Sequence, residues 1–341
     1  MSDPILTVLM PVYNAEEHVS EAVISVLNQT FSRFKLLVID DGCTDNSIAI
    51  IEGLKDDRIE ILNLPKNAGL VNALNVGLDK IETKYVARTD ADDICLPDRF
   101  EHQISFMESH PRVGALGTGF DSLFPDGSIK TGTRFSDNHE MVRFKHLYQI
   151  HIIHGTAMLR NSVIKENQLK FDPNFKHAED YDFFDRLGNV SEISNLHKSH
   201  YLIRQHDGRV SSQFSEIQWN NSSVVKRRIF QSIGIQPTNL DLELIMWMMY
   251  QNYEWFDAEK LDMLVDLINR MNNANSVSAY IEPEFLRNQL VVHFYHLANF
   301  FASKGSNVLP LLRQLDGGKF SDEPKLVASI YLKCFKQKLK F

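Results

Sequence analysis

Residues 85–97 read YVARTDADDICLP, and Arg88, Asp90, Asp92 and Asp93 stand within six positions of one another. Like charges this close disfavour each other's ionised form. Three carboxylates crowded after an apolar run therefore need a cation, or a chemical task, to offset them. Asp90 and Asp92 are two apart, so on an extended backbone both point into one cleft. Hard oxygen ligands of this type suit Mg²⁺ or Mn²⁺, which bind through one or two carboxylates plus substrate phosphates. A divalent ion bridging a diphosphate would neutralise the acids and the phosphates together.

A second carboxylate set lies in HAEDYDFFDRL, residues 177–187. Asp180 precedes an apolar-periodic run, so it reads either as an ordinary helix N-cap or as a general base within reach of a substrate hydroxyl. Glu179 beside it would face an acceptor or lock the loop. Arg204 and His206, in RQHDGRVSS, are two apart and could both face a diphosphate. Arg204 would act as a charge clamp, His206 as a hydrogen-bond donor or a further metal ligand; the alternative is a plain surface loop. His151 and His154 have no second His pair or Cys nearby and read as pocket or core histidines rather than zinc ligands.

The elements that would position these groups follow from periodicity. LTVLMPVY, FKLLVIDD, RIEILNL and KYVART read as four strands. Between them, Val19, Ala22, Val23, Val26 and Leu27, and then Leu70, Ala73, Leu74, Gly77 and Leu78, form helical stripes. Asn14 reads as a helix cap with Glu17 completing a capping box, and Asp45 as the cap of the next helix. The alternation predicts an α/β fold, a mostly parallel sheet covered by helices on both faces. In such sheets ligands bind at the carboxyl ends of the strands. Those ends carry PVYN (Pro11, Tyr13, Asn14), DDGCTD (Asp40, Asp41), KNAGL (Asn67, Gly69) and DADD. Four polar clusters on one edge exceed what capping alone requires.

Taken in order, PVYN, DDGCTD, KNAGL and RTDADD resemble the donor-site motifs of the family-two inverting glycosyltransferases, which have the Rossmann-like GT-A fold. The resemblance continues through HGTAMLR, HAEDYDFFDRL and YLIRQHDGRVSS, and covers about residues 5–215. It implies transfer of a sugar from a nucleotide-diphosphate sugar, with a lean to UDP, in the presence of Mn²⁺ or Mg²⁺. It also implies that Asp40 or Asp41 holds the base, Asp90 the ribose, Asp92 the metal and diphosphate, and that Asp180 deprotonates the acceptor hydroxyl. Cys43 stands where the family usually has Ser, in a turn that mainly needs a small side chain.

The chain has 341 residues and a formal net charge of −8, an acidic balance that argues against nucleic acid as a partner. Its three cysteines, with no CxxC, suit a reducing compartment. The N-terminus lacks a signal-peptide pattern, and no stretch approaches the roughly 20 apolar residues of a membrane span. The expected location is the cytoplasm. Residues 1–215 read as the transferase domain and 216–341 as an α-helical appendage. The basic tail Lys325–Phe341 reads as a docked, solvated helix, or as an amphipathic helix in peripheral contact with the inner face of a membrane. The expected acceptor is a hydroxyl of a glycan or lipid-linked molecule in polysaccharide or glycoconjugate assembly. Rival readings are a sugar-phosphate nucleotidyltransferase, a glycoside hydrolase, and a nucleotide-sugar-binding protein without catalysis. PVYNAEEH, after the first strand, lacks the Gly-rich basic loop that the first rival would place there.

Overall fold

The structure is a computed structural model that describes residues 3–135, 137–205, 215–316 and 324–338. The chain divides into two compact units. One comprises Met1–Val142 with Ile150–Ser222, the other Arg143–Gln149 with Ser223–Phe341. The short segment Arg143–Gln149 thus goes with the second unit.

The first unit is built on a sheet in which strands β1 (Leu6–Val12), β2 (Phe34–Asp40), β3 (Ile59–Asn63) and β4 (Tyr85–Arg88) run parallel in the order β3-β2-β1-β4. Helices α1 (Val19–Leu27), α2 (Ser47–Gly53) and α3 (Leu70–Lys80) make the crossovers. Both faces of β1 are covered, which explains why it reads as a continuous apolar run rather than an alternation. Leu6, Val8 and Met10 pack with Val19 and Val23 of α1, while Leu9 packs on the other face with Ala73, Leu74 and Leu78 of α3.

Beyond β4 the sheet is mixed. Strand β8 (Met158–Arg160) pairs antiparallel with both β4 and β6 (Val113–Leu123), and β9 (Glu192–Arg204) runs parallel to β6. A two-residue strand, β5 (Ile94–Cys95), follows the acid cluster and pairs antiparallel with β9, Ile94 against Leu202 and Cys95 against Tyr201. That short pairing brings the end of β9 beside Asp92 and Asp93. Hairpin strand β7 (Ile129–Thr131) and helices α4 (Arg99–Ser109), α5 (His139–Lys145), α6 (Asn161–Glu166) and α7 (Glu179–Gly188) complete the unit, with α5 crossing into the second.

The expected capping pattern is corrected. Helix α1 begins at Val19 after His18, with no side-chain cap. Asn14 has φ 46° and its Oδ1 accepts the amide of Thr44 at 2.9 Å. Glu16, not Glu17, reaches across to the amide of Asn46 at 2.9 Å, and Asp45 accepts the amides of Glu16 and Ser47, each at 3.0 Å. Asn14 and Glu16 serve the neighbouring loop, and Asp45 divides its oxygens between that loop and the first amide of α2, because parallel strand ends lie side by side and each leaves amides to satisfy.

The second unit is helical: α8 (Ser215–Ile233, shared with the first unit), α9 (Asn239–Met249), α10 (Ala258–Ser278), α11 (Pro283–Ser303), α12 (Leu309–Asp316) and α13 (Pro324–Lys338). Thr238 and Asp241 form a capping box at the start of α9. In α13, Val327, Ile330 and Cys334 are buried, and Lys333 Nζ donates to Asn299 Oδ1 of α11 at 2.6 Å.

Gly77 of α3 sits so close to β1 that an added Cβ would stand 2.3 Å from Leu9 Cδ1. Gly77→Ala should therefore overpack the interface and cost about 1–3 kcal/mol. Leu9→Ala should cost about 2–5 kcal/mol through the cavity it leaves. The double variant should lose clearly less than the sum, since each change relieves the other. Urea denaturation measures all three, and strict additivity would contradict the packing described.

Candidate active site

The site begins where β1, β2 and β4 end together. Asp41, 3% exposed, accepts the amides of Ala68 at 2.8 Å and Gly69 at 2.9 Å, so its carboxylate holds the loop after β3. Asp40 is half-buried and accepts the amide of Cys43 at 2.8 Å. Between them Gly42 has φ +76°, and a Cβ there would meet Asn67 N at 2.5 Å; only glycine permits both the conformation and the approach. Burial and the neighbouring Asp40 push the Cys43 thiol up to about 11, so the residue is a protonated small side chain.

The acid loop is braced from three sides. Arg88, 4% exposed, forms an ion pair with Asp90. Burial works against its charge, but Asp90 beside it outweighs that and keeps the guanidinium protonated. The Asp90 amide donates to Tyr201 Oη at 3.0 Å. The Arg204 amide donates to Asp93 Oδ1 at 2.8 Å, its Nε to the Asp92 carbonyl at 2.9 Å, and its Nη2 to Glu21 Oε2 at 2.5 Å. Burial, then Asp90 and Asp92, push the Asp93 carboxyl well above the usual carboxylate range. Even with Arg88 in place, the loop thus favours the protonated form of Asp93. Its donors are all carboxylate oxygens, which fits a hard divalent cation.

Helix α7 supplies the second carboxylate set. Its N-cap residue is Ala178, so Glu179 and Asp180 are its first two residues, and the cap reading of Asp180 is corrected. Burial, reinforced by Glu179, raises the Asp180 carboxyl to about 7. Glu179, 8% exposed, is raised by burial as well. His154 lies against Phe171 and Phe184, with ring centroids 5.2 and 6.0 Å away. Burial, and then the Arg88 charge, hold it neutral. Next to it, a Cβ on Gly155 would stand 2.8 Å from both Asp90 Oδ2 and Tyr201 Oη.

One cleft of about 800 Å³ gathers Asn67, Gly69, Arg88, Asp90, Asp92, Glu179, Asp180 and Arg204 on its wall. Pro11, Tyr13, Asn14, Asp40 and Asp41 are not on that wall; they sit at the adjoining strand ends, Tyr13 49% exposed. His206 lies outside the described residues. Sequence reasoning left out Gly155, Lys176 and His177, which also line the cleft, and Tyr201, which supports it. Gly155 follows a motif histidine and was detectable; Tyr201 depends on the β5–β9 pairing, which no local pattern announces.

A family model described as Glycosyl transferase family 2 matches residues 7–167. An uncharacterized glycosyltransferase of Haemophilus influenzae is 33% identical over 236 residues, 67% of this chain and 90% of the relative. The amylovoran biosynthesis glycosyltransferase AmsE of Erwinia amylovora is 35% identical over 199 residues, 56% of this chain and 72% of the relative. Among solved structures, S. aureus TarS 1-349 in complex with UDP-GlcNAc superposes with a TM-score of 0.58 at 20% identity, over 85% of this chain and 91% of that one. The mannosyltransferase PcManGT of Pyrobaculum calidifontis, in complex with GDP-Man and Mn²⁺, gives 0.51 at 14% identity, over 100% and 88%. These likenesses show the GT-A fold. With the order of the strand-end clusters and the relative covered over nine-tenths of its length, the chain belongs to glycosyltransferase family 2.

Proposed function

We propose that this glycosyltransferase moves a sugar, with inversion and with a divalent cation, from a nucleotide-diphosphate sugar to a hydroxyl of a glycan or lipid-linked acceptor. The observation that carries the reading is one cleft lined by the crowded carboxylate loop and by a carboxylate raised to about 7 at a helix start. A UDP-sugar is the favoured donor. The TarS complex holds UDP-GlcNAc and the mannosyltransferase complex GDP-Man with Mn²⁺, which supports a nucleotide-sugar donor and a metal at the level of the fold. The relationship to an amylovoran biosynthesis enzyme supports a place in polysaccharide or glycoconjugate assembly.

In this reading Pro11, Tyr13, Asn14 and Asp40 bound the base. Asp41 acts through the backbone, holding Ala68 and Gly69 and with them the loop that carries Asn67. Asp90 takes the ribose, and Asp92 holds Mn²⁺ or Mg²⁺, with His206 as a further ligand. Bound there, the ion would neutralise the diphosphate and stabilise it as a leaving group. Arg204 holds the acid loop to β9 and presents its charge at the cleft wall. Asp180 accepts the proton of the acceptor hydroxyl as that oxygen forms its bond to the anomeric carbon and the bond from that carbon to the diphosphate breaks. A carboxylate titrating near 7 is matched to this task at neutral pH. Glu179 shares the helix start and, being largely buried, keeps the Asp180 pKa high.

No helix among the described residues is long and apolar enough to cross a membrane. We place the enzyme in the cytoplasm, and contact with the inner face of a membrane would run through the basic stretch Lys325–Phe341. Family membership runs against the nucleotidyltransferase and hydrolase readings, and measured turnover tests the non-catalytic one.

Two predictions follow from Asp180. A thermal-shift panel of nucleotide sugars with Mn²⁺ identifies the donor. With that donor, Asp180→Asn should keep its affinity while transfer falls by roughly 10²-fold or more. Near-normal transfer would move the base role to Glu179 or Asp182.

The second concerns stability without metal. A carboxyl raised in the folded state binds its proton more tightly there than in the unfolded chain, so stability present at low pH is lost as pH rises toward about 7. Asp180→Asn removes that loss. In EDTA the variant should be more stable than wild type at pH 8 and lose the advantage at pH 4. An unchanged difference across that range would show that Asp180 is not buried with a raised pKa.

A further inference from the structure

Outside the cleft, Asp98, His102 and His200 offer ligand atoms that all lie within 4.8 Å of one another. None of the three lines the cleft. Asp98 is the N-cap residue of α4, yet its carboxylate makes no capping hydrogen bond to the helix. It turns instead to β9, where Oδ1 lies 2.9 Å from His200 Nδ1, and Lys198 pairs with Oδ2. His102, one helical turn on, has its Nδ1 2.8 Å from the Asp98 carbonyl oxygen and 3.7 Å from Oδ2, and its ring centroid lies 4.9 Å from that of His200. The His200 side chain is 1% exposed, whereas that of His102 is 50% exposed and can turn.

We propose that Asp98, His102 and His200 form a binding site for a divalent transition-metal ion, separate from the donor cleft. Two imidazoles and one carboxylate suit Zn²⁺, Co²⁺ or Ni²⁺ rather than Mg²⁺, which prefers oxygen. Donors bound to one ion at about 2.0–2.1 Å stand roughly 3 Å apart. The Asp98–His200 spacing already meets this, and rotation of the exposed His102, which gives up its contact with the Asp98 carbonyl, closes the rest. The ion would displace the ammonium of Lys198, whose side chain is 62% exposed, and take over its task of neutralising Asp98. Such an ion would pin the start of α4 to β9, on the far side of β5 from the acid loop. The inference does not depend on the donor or the reaction.

The test titrates Co²⁺ alone into the full chain and follows its visible ligand-field absorption. Wild type should bind one equivalent with a band of nitrogen-containing coordination. His102→Ala should weaken that binding by at least about 10–100-fold, the scale that even an outer-shell change produces. Because His102 is exposed, its melting temperature in EDTA should equal that of wild type. Lys198→Ala should tighten binding, since it removes the competing cation, and Asp92→Ala should leave the band in place. Absence of the band in both wild type and Lys198→Ala would overturn the proposal. So would a band that His102→Ala leaves unchanged, or one that Asp92→Ala abolishes.

Discussion

The structure turns on repulsion within one loop. Asp90, Asp92 and Asp93 are held together by covalent adjacency, by the Arg88 ion pair and by the amide and guanidinium of Arg204. Left to themselves three carboxylates in such a space would spread or take up protons, and Asp93 is raised by its burial and, after that, by Asp90 and Asp92. The fold holds the acids in place, and the cation proposed to arrive with the substrate would complete the loop.

The bracing explains features that otherwise look unrelated. A two-residue strand such as β5 has little stability of its own, yet it sets the register that places Tyr201 under the Asp90 amide and Arg204 beside Asp93. Gly155 keeps room for Asp90 and Tyr201 to approach, as Gly42 does for the loop that Asp41 organises. Asp41 is the carboxylate committed to the backbone. With its two oxygens on Ala68 and Gly69, it serves the site by fixing the neighbouring loop, and Asp40 is the more accessible of the two.

Much of this was legible in the chain because parallel strands are buried on both faces and announce themselves as apolar runs, with polar clusters at their ends. The strands and helices of the first ninety residues fall where periodicity places them to within a residue or two. What local pattern misjudged was the partner of each polar side chain. Asn14 and Asp45 look like caps, since short polar residues before a helix usually are, but side-by-side strand ends offered competing amides in the next loop. Asp180 looked like a cap for the same reason, and its place inside the first turn appears only with the dihedrals of Ala178. The mixed half of the sheet was least legible, because β8 and β5 are short and owe their pairing to β6 and β9.

The central claim is that the acid loop is completed by a divalent cation when a nucleotide diphosphate binds. Calorimetric titration of UDP into the full chain, once with Mn²⁺ and once with EDTA, tests it most directly. Binding should be clearly tighter with Mn²⁺, a gain that Asp92→Ala removes. Equal affinity in Mn²⁺ and EDTA would contradict it, since the three carboxylates would then be accepting a diphosphate without a metal ion.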